Sequence, residues 1–202
     1  MNVLPVSFFH TQPTLHIAKM LLGKLLISQA DGKYTSGRIV ETEAYLGIED
    51  KASHAYGNRR TLRTEVMYGQ AGQAYIYLCY GLHQLLNVVT QCSDIPHAIL
   101  IRGLDPVGGI DEMLMRTGKK QVDDSLTRGP GNLSKALGIK QMHNGQSYLG
   151  PLLYLVDDYY NVPEKKIGQS PRIGVSYAQE DALLPYRFFI KGNPFVSGKI
   201  RK

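Results

Sequence analysis

Tryptophan is absent from this chain of 202 residues, and cysteine occurs twice, as Cys79 and Cys92. No Cys-x-x-Cys or His-x-x-x-His spacing exists, which leaves a disulfide framework and a zinc centre without support. No metal or cofactor is therefore expected. The apolar runs are short, so none is expected to cross a bilayer. The opening residues, MNVLPVSFFHTQP, lack the basic-then-apolar pattern of a secretory signal. These absences predict a cytoplasmic protein with reduced thiols and no membrane partner. Acidic residues are also in the minority, 17 Asp and Glu against 23 Lys and Arg, for a net charge of +6. That balance suits a polyanionic partner such as nucleic acid, and suits equally a soluble protein that is simply basic.

The length fits one domain with its own core, spanning 1–202. QPTLHIAKMLL carries apolar residues at helical spacing, with Gly23 placed to end the helix. KLLIS and GRIVETEAY read as strands joined by ADGKY. AYIYLCY and LLNVVTQ flank Gly81-Leu82-His83 as a second, protruding hairpin, and HAILIRGL follows as another strand. Pro106 and Gly108-Gly109 precede a helical IDEMLMRTG, and Asn132 is placed to cap a short helix over LSKALGI. LLYLVDD, RIGVSY and RFFIKG read as further strands, and the lysine-bearing stretches 118–124 and 161–170 as surface loops. Without regular strand–helix alternation, the expected class is α+β, a curved and largely antiparallel sheet flanked by helices.

Within IVETEAYLG, alternation puts Ile39, Glu41, Glu43 and Tyr45 on one strand face. Glutamate is unfavourable in a half-buried strand. Either this face meets water or a carboxylate is held for its chemistry, and one working glutamate beside one structural or solvated glutamate is the economical reading. Two carboxylates at i and i+2 do not match a glycosidase pair, which converges from separate elements. Tyr75 and Tyr77 share a face by the same parity, as core packing or as planes for a flat ligand. Arg102 ends an apolar strand, either emerging into solvent or delivered to a phosphate or a reacting water. RGPGNLSKALGI brings a Gly-rich turn to a helix start, a weak phosphate signal without P-loop spacing.

Taken together, LLGKLL, GRIVETEAYLGIEDKASHA, YIYLCYGLHQLLNVV, AILIRGLDP, RGPGNLSKALGI, PRIGVSYA and RFFIKGNPFVS resemble the alkyladenine (3-methyladenine) DNA glycosylases of the mammalian type, and this chain a bacterial member. The runs keep the family's order over roughly residues 15–197. The resemblance implies a monofunctional N-glycosylase that flips alkylated purines from double-stranded DNA and hydrolyses the glycosidic bond; a monomer suits a protein that scans DNA. It implies Glu43 as the base that activates water, with Arg102 and the Val175 carbonyl lining the water site. It implies Tyr45 and His54 as one wall of the base pocket, Tyr77 as the other, and Asn87 as the floor residue that collides with guanine's exocyclic amine. Tyr80, at the hairpin tip, is implied to fill the gap left in the duplex. Ser176 and Tyr177 depart from the mammalian glycine and histidine, which bears on the range of bases accepted. The alternatives are a non-catalytic DNA-binding module and a metal-dependent nuclease using Glu41, Glu43 and Asp50.

Overall fold

The alternating apolar runs form one antiparallel sheet in the computed structural model, which describes residues 1–198. Its strands are β1 (Asn2–Val3), β2 (Leu25–Ser28), β3 (Thr35–Tyr45), β4 (Ala74–Cys79), β5 (His83–Thr90), β6 (His97–Gly108), β7 (Leu153–Asp157), β8 (Ile167–Ser170) and β9 (Arg187–Ile190). The order is β1-β7-β2-β3-β6-β5-β4, and β9 joins β3 to β8. The sheet forks at β3. One edge pairs with β6, while the other pairs with β2 over Thr35–Arg38 and with β9 over Glu41–Glu43.

Helices α1 (Thr14–Met20), α2 (Ile110–Thr117) and α3 (Pro130–Ala136) accompany the sheet. Ile17 and Leu21 from around α1 and Leu133 from α3 pack with Ile99, Ile101 and Phe188 of the strands to form the core. Gly23 takes φ +87 just past α1, as a helix stop requires. The α+β class with a curved antiparallel sheet is thus as the sequence predicts.

Three register irregularities interrupt the β3–β6 ladder, and two of them are opposed bulges on either side of Glu41. Ile39 faces Leu104, Glu41 faces Gly103 and Thr42 faces Ile101, so Val40 and Arg102 are each an extra residue. The first bulge overturns the expected parity: Ile39 joins the helix-side core with Ala44, while Val40 packs with Phe189 and Val196. Glu41, Glu43 and Tyr45 stay together. Gly103 sits where a Cβ would lie 2.6 Å from the Phe195 carbonyl, so glycine lets the C-terminal segment approach the sheet.

Four further expectations are corrected. RIGVSY is not a strand: Gly174 takes φ +78, the Ile173 N–H goes to a side chain, and a 3-10 stretch spans Ser176–Leu183. Ile167–Ser170, expected as loop, is β8 paired to β9. Strand β6 does not end with HAILIRGL at Leu104 but runs through Pro106 to Gly108, while α2 follows Gly109 as expected. Asn132 lies inside α3, which starts earlier because Pro130 can occupy a first turn whose N–H has no partner anyway.

Candidate active site

Glu41 and Glu43 lie where β3 is flanked by β6 and β9, so arginines reach them from both neighbours. Glu41 is wholly buried and accepts from Arg102 Nε at 3.0 Å and Arg187 Nε at 2.7 Å. The Ser197 N–H at 2.7 Å and hydroxyl at 2.8 Å complete its shell. Glu41 is therefore a structural anchor, neither solvated nor free.

Glu43 is also wholly buried. Its Oε1 accepts from the Ile173 N–H at 2.7 Å, and its Oε2 from the Tyr45 hydroxyl at 2.8 Å and Arg102 Nη1 at 3.3 Å. Burial pushes its carboxyl above the ordinary glutamate value, and Arg102, the Ile173 amide and Tyr45 only partly oppose this. The Tyr45 phenol is pushed well up, by burial first and then by the Glu43 charge, so it stays a donor. Burial works against the Arg102 charge, but the two glutamates outweigh it and hold the guanidinium more basic than usual.

A cavity of about 800 Å³ is lined by Tyr45, His54, Tyr77, Asn87, Arg102 and Val175, with Tyr80 at its rim. The structure thus brings the sequence-predicted residues together, Glu43 excepted. Glu43 does not line the cavity itself, but its partners Tyr45, Arg102 and Ile173 do.

The His54 ring stands edge-to-face on Tyr77, centroids 4.5 Å apart. Its Nδ1 lies 2.8 Å from the Tyr75 hydroxyl and its Nε2 3.3 Å from Arg63 Nη2. Guanidinium only donates, so Nε2 is assigned as acceptor and Nδ1 as the protonated nitrogen. Burial, then the charges of Arg63 and Arg59, lower His54 to about 4, which keeps the imidazole neutral near pH 7. The Asn87 amide donates to the carbonyls of Tyr75 at 3.0 Å and Leu85 at 3.3 Å. The Val175 carbonyl accepts from the Ala178 N–H at 2.9 Å and retains a second lone pair. At the hairpin tip, Tyr80 at φ +50 and Gly81 at φ +70 make a tight turn that leaves Tyr80 90% exposed.

Sequence reasoning missed Arg63, which lies over Tyr77 at 5.1 Å, and Ile173, whose contribution is a backbone N–H. It also missed how Tyr177 is held, its hydroxyl donating to the Ala52 carbonyl at 3.0 Å. Parity signalled Tyr75, but nothing local signalled Ile173. The Gly-rich turn at 128–131 lies outside the cavity lining. Among the described residues no helix is long and apolar enough to cross a membrane.

Residues 7–194 match the family model described as Methylpurine-DNA glycosylase. A protein of Bacillus cereus (strain G9842) is 45% identical, covering 96% of this chain and 98% of its own. One from Chlamydia felis is 46% identical, covering 93% and 96% of the two chains. One from Alkaliphilus oremlandii is 41% identical, covering 95% and 97%. Each of the three bears the name "Putative 3-methyladenine DNA glycosylase". With nearly the whole length matched in this way, the chain belongs to the methylpurine-DNA glycosylase family.

Proposed function

We propose that this protein excises alkylated purines of the 3-methyladenine type from double-stranded DNA, hydrolysing the N-glycosidic bond and leaving an abasic site. A base within the duplex stack is unreachable, so the nucleotide must be extruded into a pocket before any chemistry. The cavity, large enough to admit a purine, has Tyr45, Tyr77 and His54 among its lining. An alkylated purine carries positive charge, which makes it both a good leaving group and a favoured guest for aromatic faces. A normal purine gains less from those faces and still costs its unstacking energy, so selectivity is a difference of two terms. In this reading Asn87 at the pocket floor excludes guanine, and Tyr80 fills the space vacated in the duplex.

The observation that carries the mechanism is the set of partners around Glu43. A carboxylate has about four acceptor positions. Ile173, Tyr45 and Arg102 occupy three of them. The position left on Oε1 is the one this reading gives to the attacking water, with the Val175 carbonyl as its second acceptor. A general base works best with its pKa brought toward the operating pH, the direction in which burial moves Glu43. Its negative charge also stabilises the oxocarbenium-like sugar as the bond breaks. Lys51, the lysine in the cavity lining, is paired to Glu180 at 2.5 Å, which favours water over an amine as nucleophile.

The nuclease reading loses its ligands, because Glu41 accepts from Arg102 and Arg187 and Asp50 from Arg172. Chromatography of bases released from an alkylated duplex, with chelator present, tests the rest. Free 3-methyladenine supports the reading. Tight, salt-sensitive binding with no base released would overturn it in favour of a binding module.

A further inference from the structure

We infer that Arg172 and Asp50 form a positioning pair that sets the Ile173 N–H on Glu43, and through it the orientation and charge of the base. The inference rests on the glycosylase reading above.

The Arg172 side chain has no exposure and that of Asp50 has 2%. Their fork is bidentate, Nη1 to Oδ2 at 2.5 Å and Nη2 to Oδ1 at 2.8 Å. Arg172 also donates to the Ala44 carbonyl at 2.9 Å and the Asp181 carbonyl at 3.2 Å. Asp50 accepts from the backbone N–H of Leu46 at 2.9 Å and of Ala52 at 3.0 Å. The guanidinium lies between the rings of Tyr45, at 4.8 Å, and Tyr186, at 5.2 Å. One ion pair therefore ties together the end of β3, the start of the cavity loop and the segment that carries Ile173 and Val175.

The leverage is covalent. The nitrogen of Ile173 is bonded to the carbonyl carbon of Arg172, so a shift in Arg172 moves the donor that Glu43 Oε1 accepts. Net stability is a poor explanation for the pair. Buried ion pairs seldom stabilise more than apolar residues of the same volume. Here Arg172 Nε is in addition buried with no hydrogen-bond partner, which carries a desolvation cost. Lysine could supply the charge but not the planar fork.

Glu43 is faced by Arg102 from β6, by Arg187 as its register partner on β9, by Glu41 and Tyr45 from its own strand, and by the Ile173 amide. Arg172 is itself coupled by charge to Glu43, and Arg172→Lys keeps that positive charge as well as the others. A rise of the acid limb together with a shifted Ile173 amide resonance therefore reports the amide. Single-turnover excision of 3-methyladenine from a defined duplex should slow about tenfold, equivalent to ~1.4 kcal/mol of barrier. The acid limb of the rate should move to higher pH, because the amide is one of the groups holding the Glu43 carboxyl down. Affinity for the lesion duplex should be unchanged, and Asp50→Asn should likewise slow excision.

A parental rate and acid limb in Arg172→Lys would overturn the inference. So would loss of rate, affinity and melting temperature together with the acid limb unmoved. If neither variant folds, the parent protein still decides: the Ile173 amide nitrogen shift must titrate with the midpoint of the acid limb, and an insensitive amide sinks the idea. Failure of the parent to release any base would instead sink the glycosylase reading, while the Ile173 titration remains measurable.

Discussion

Arg102 donates its Nε–H to Glu41 Oε1 at 3.0 Å while its Nη1 lies 3.3 Å from Glu43 Oε2. One guanidinium thus spans both glutamates of β3, and the buried, acceptor-rich Glu41 fixes the plane in which Arg102 meets Glu43. The two carboxylates differ in what holds them. Glu41 accepts from two arginines and from both donors of Ser197, whereas Glu43 accepts from one arginine, a phenol and a backbone amide.

Replacing Glu41 by Gln leaves Arg102 and Arg187 buried without their shared anion. Breaking a buried pair from one side costs about 3 kcal/mol or more. Chemical denaturation should show a loss of that order, with excision reduced at temperatures where the variant remains folded.

Glu43→Gln keeps the shape but removes the base. Excision in single turnover should fall by about 10²- to 10⁴-fold, the usual contribution of general-base catalysis. Binding to the lesion duplex, measured by fluorescence anisotropy, should persist. Unchanged excision would remove Glu43 from the mechanism.

The pH–rate profile should have an acid limb above the ordinary glutamate range, since burial raises the Glu43 carboxyl and only the ionised form accepts a proton. Activity should fall as pH drops through that value. The Tyr45 phenol is raised well above its usual range, so it should contribute no alkaline limb near neutrality.

His54 should titrate near pH 4 when followed through its ring protons by NMR. Burial is the first cause and Arg63 the second, so Arg63→Ala should raise the midpoint. The sign for stability follows from linkage: the unfolded chain binds the proton first. His54 therefore contributes stability that is complete above about 6.5 and is lost as pH falls toward about 4.

Tyr80→Gly should separate stability from activity. A non-glycine residue in the left-handed region is strained by about 1 kcal/mol. Glycine removes that strain, so the melting temperature should hold or rise slightly. Excision should fall more on a paired lesion than on one already unpaired. Equal loss on both would argue against a wedge.

Strand alternation made much of this legible. It grouped Glu43 with Tyr45 and Tyr75 with Tyr77, and it set Arg102 at the end of an apolar strand without saying what it meets. Composition and spacing did not choose between Glu41 and Glu43; only the family resemblance did. The structure distinguishes them by distant partners, Arg187 and Ser197 for one and Ile173 for the other, which no local pattern encodes. Ile39 was misassigned because a bulge adds a residue without leaving a sign in the hydrophobic pattern. RIGVSY looked like a strand because Ile173, Val175 and Tyr177 alternate, yet the polar group that matters there is a main-chain N–H. Backbone donors are identical at every position, so their use cannot be read from residue type.

Ser197 closes the arrangement, its N–H and hydroxyl on Glu41, its carbonyl accepting from Arg187 and its hydroxyl from Arg102 Nη2. The consequence lies in the order of synthesis. Residues 41 and 43 precede their distant partners: Arg102 and Arg187 bring the positive charge, and Ser197 then brings the last donors to Glu41. A nascent chain halted before Ser197 leaves Glu41 in an unfinished shell. Assembly of the site therefore waits for a residue 156 positions downstream of the glutamate it closes.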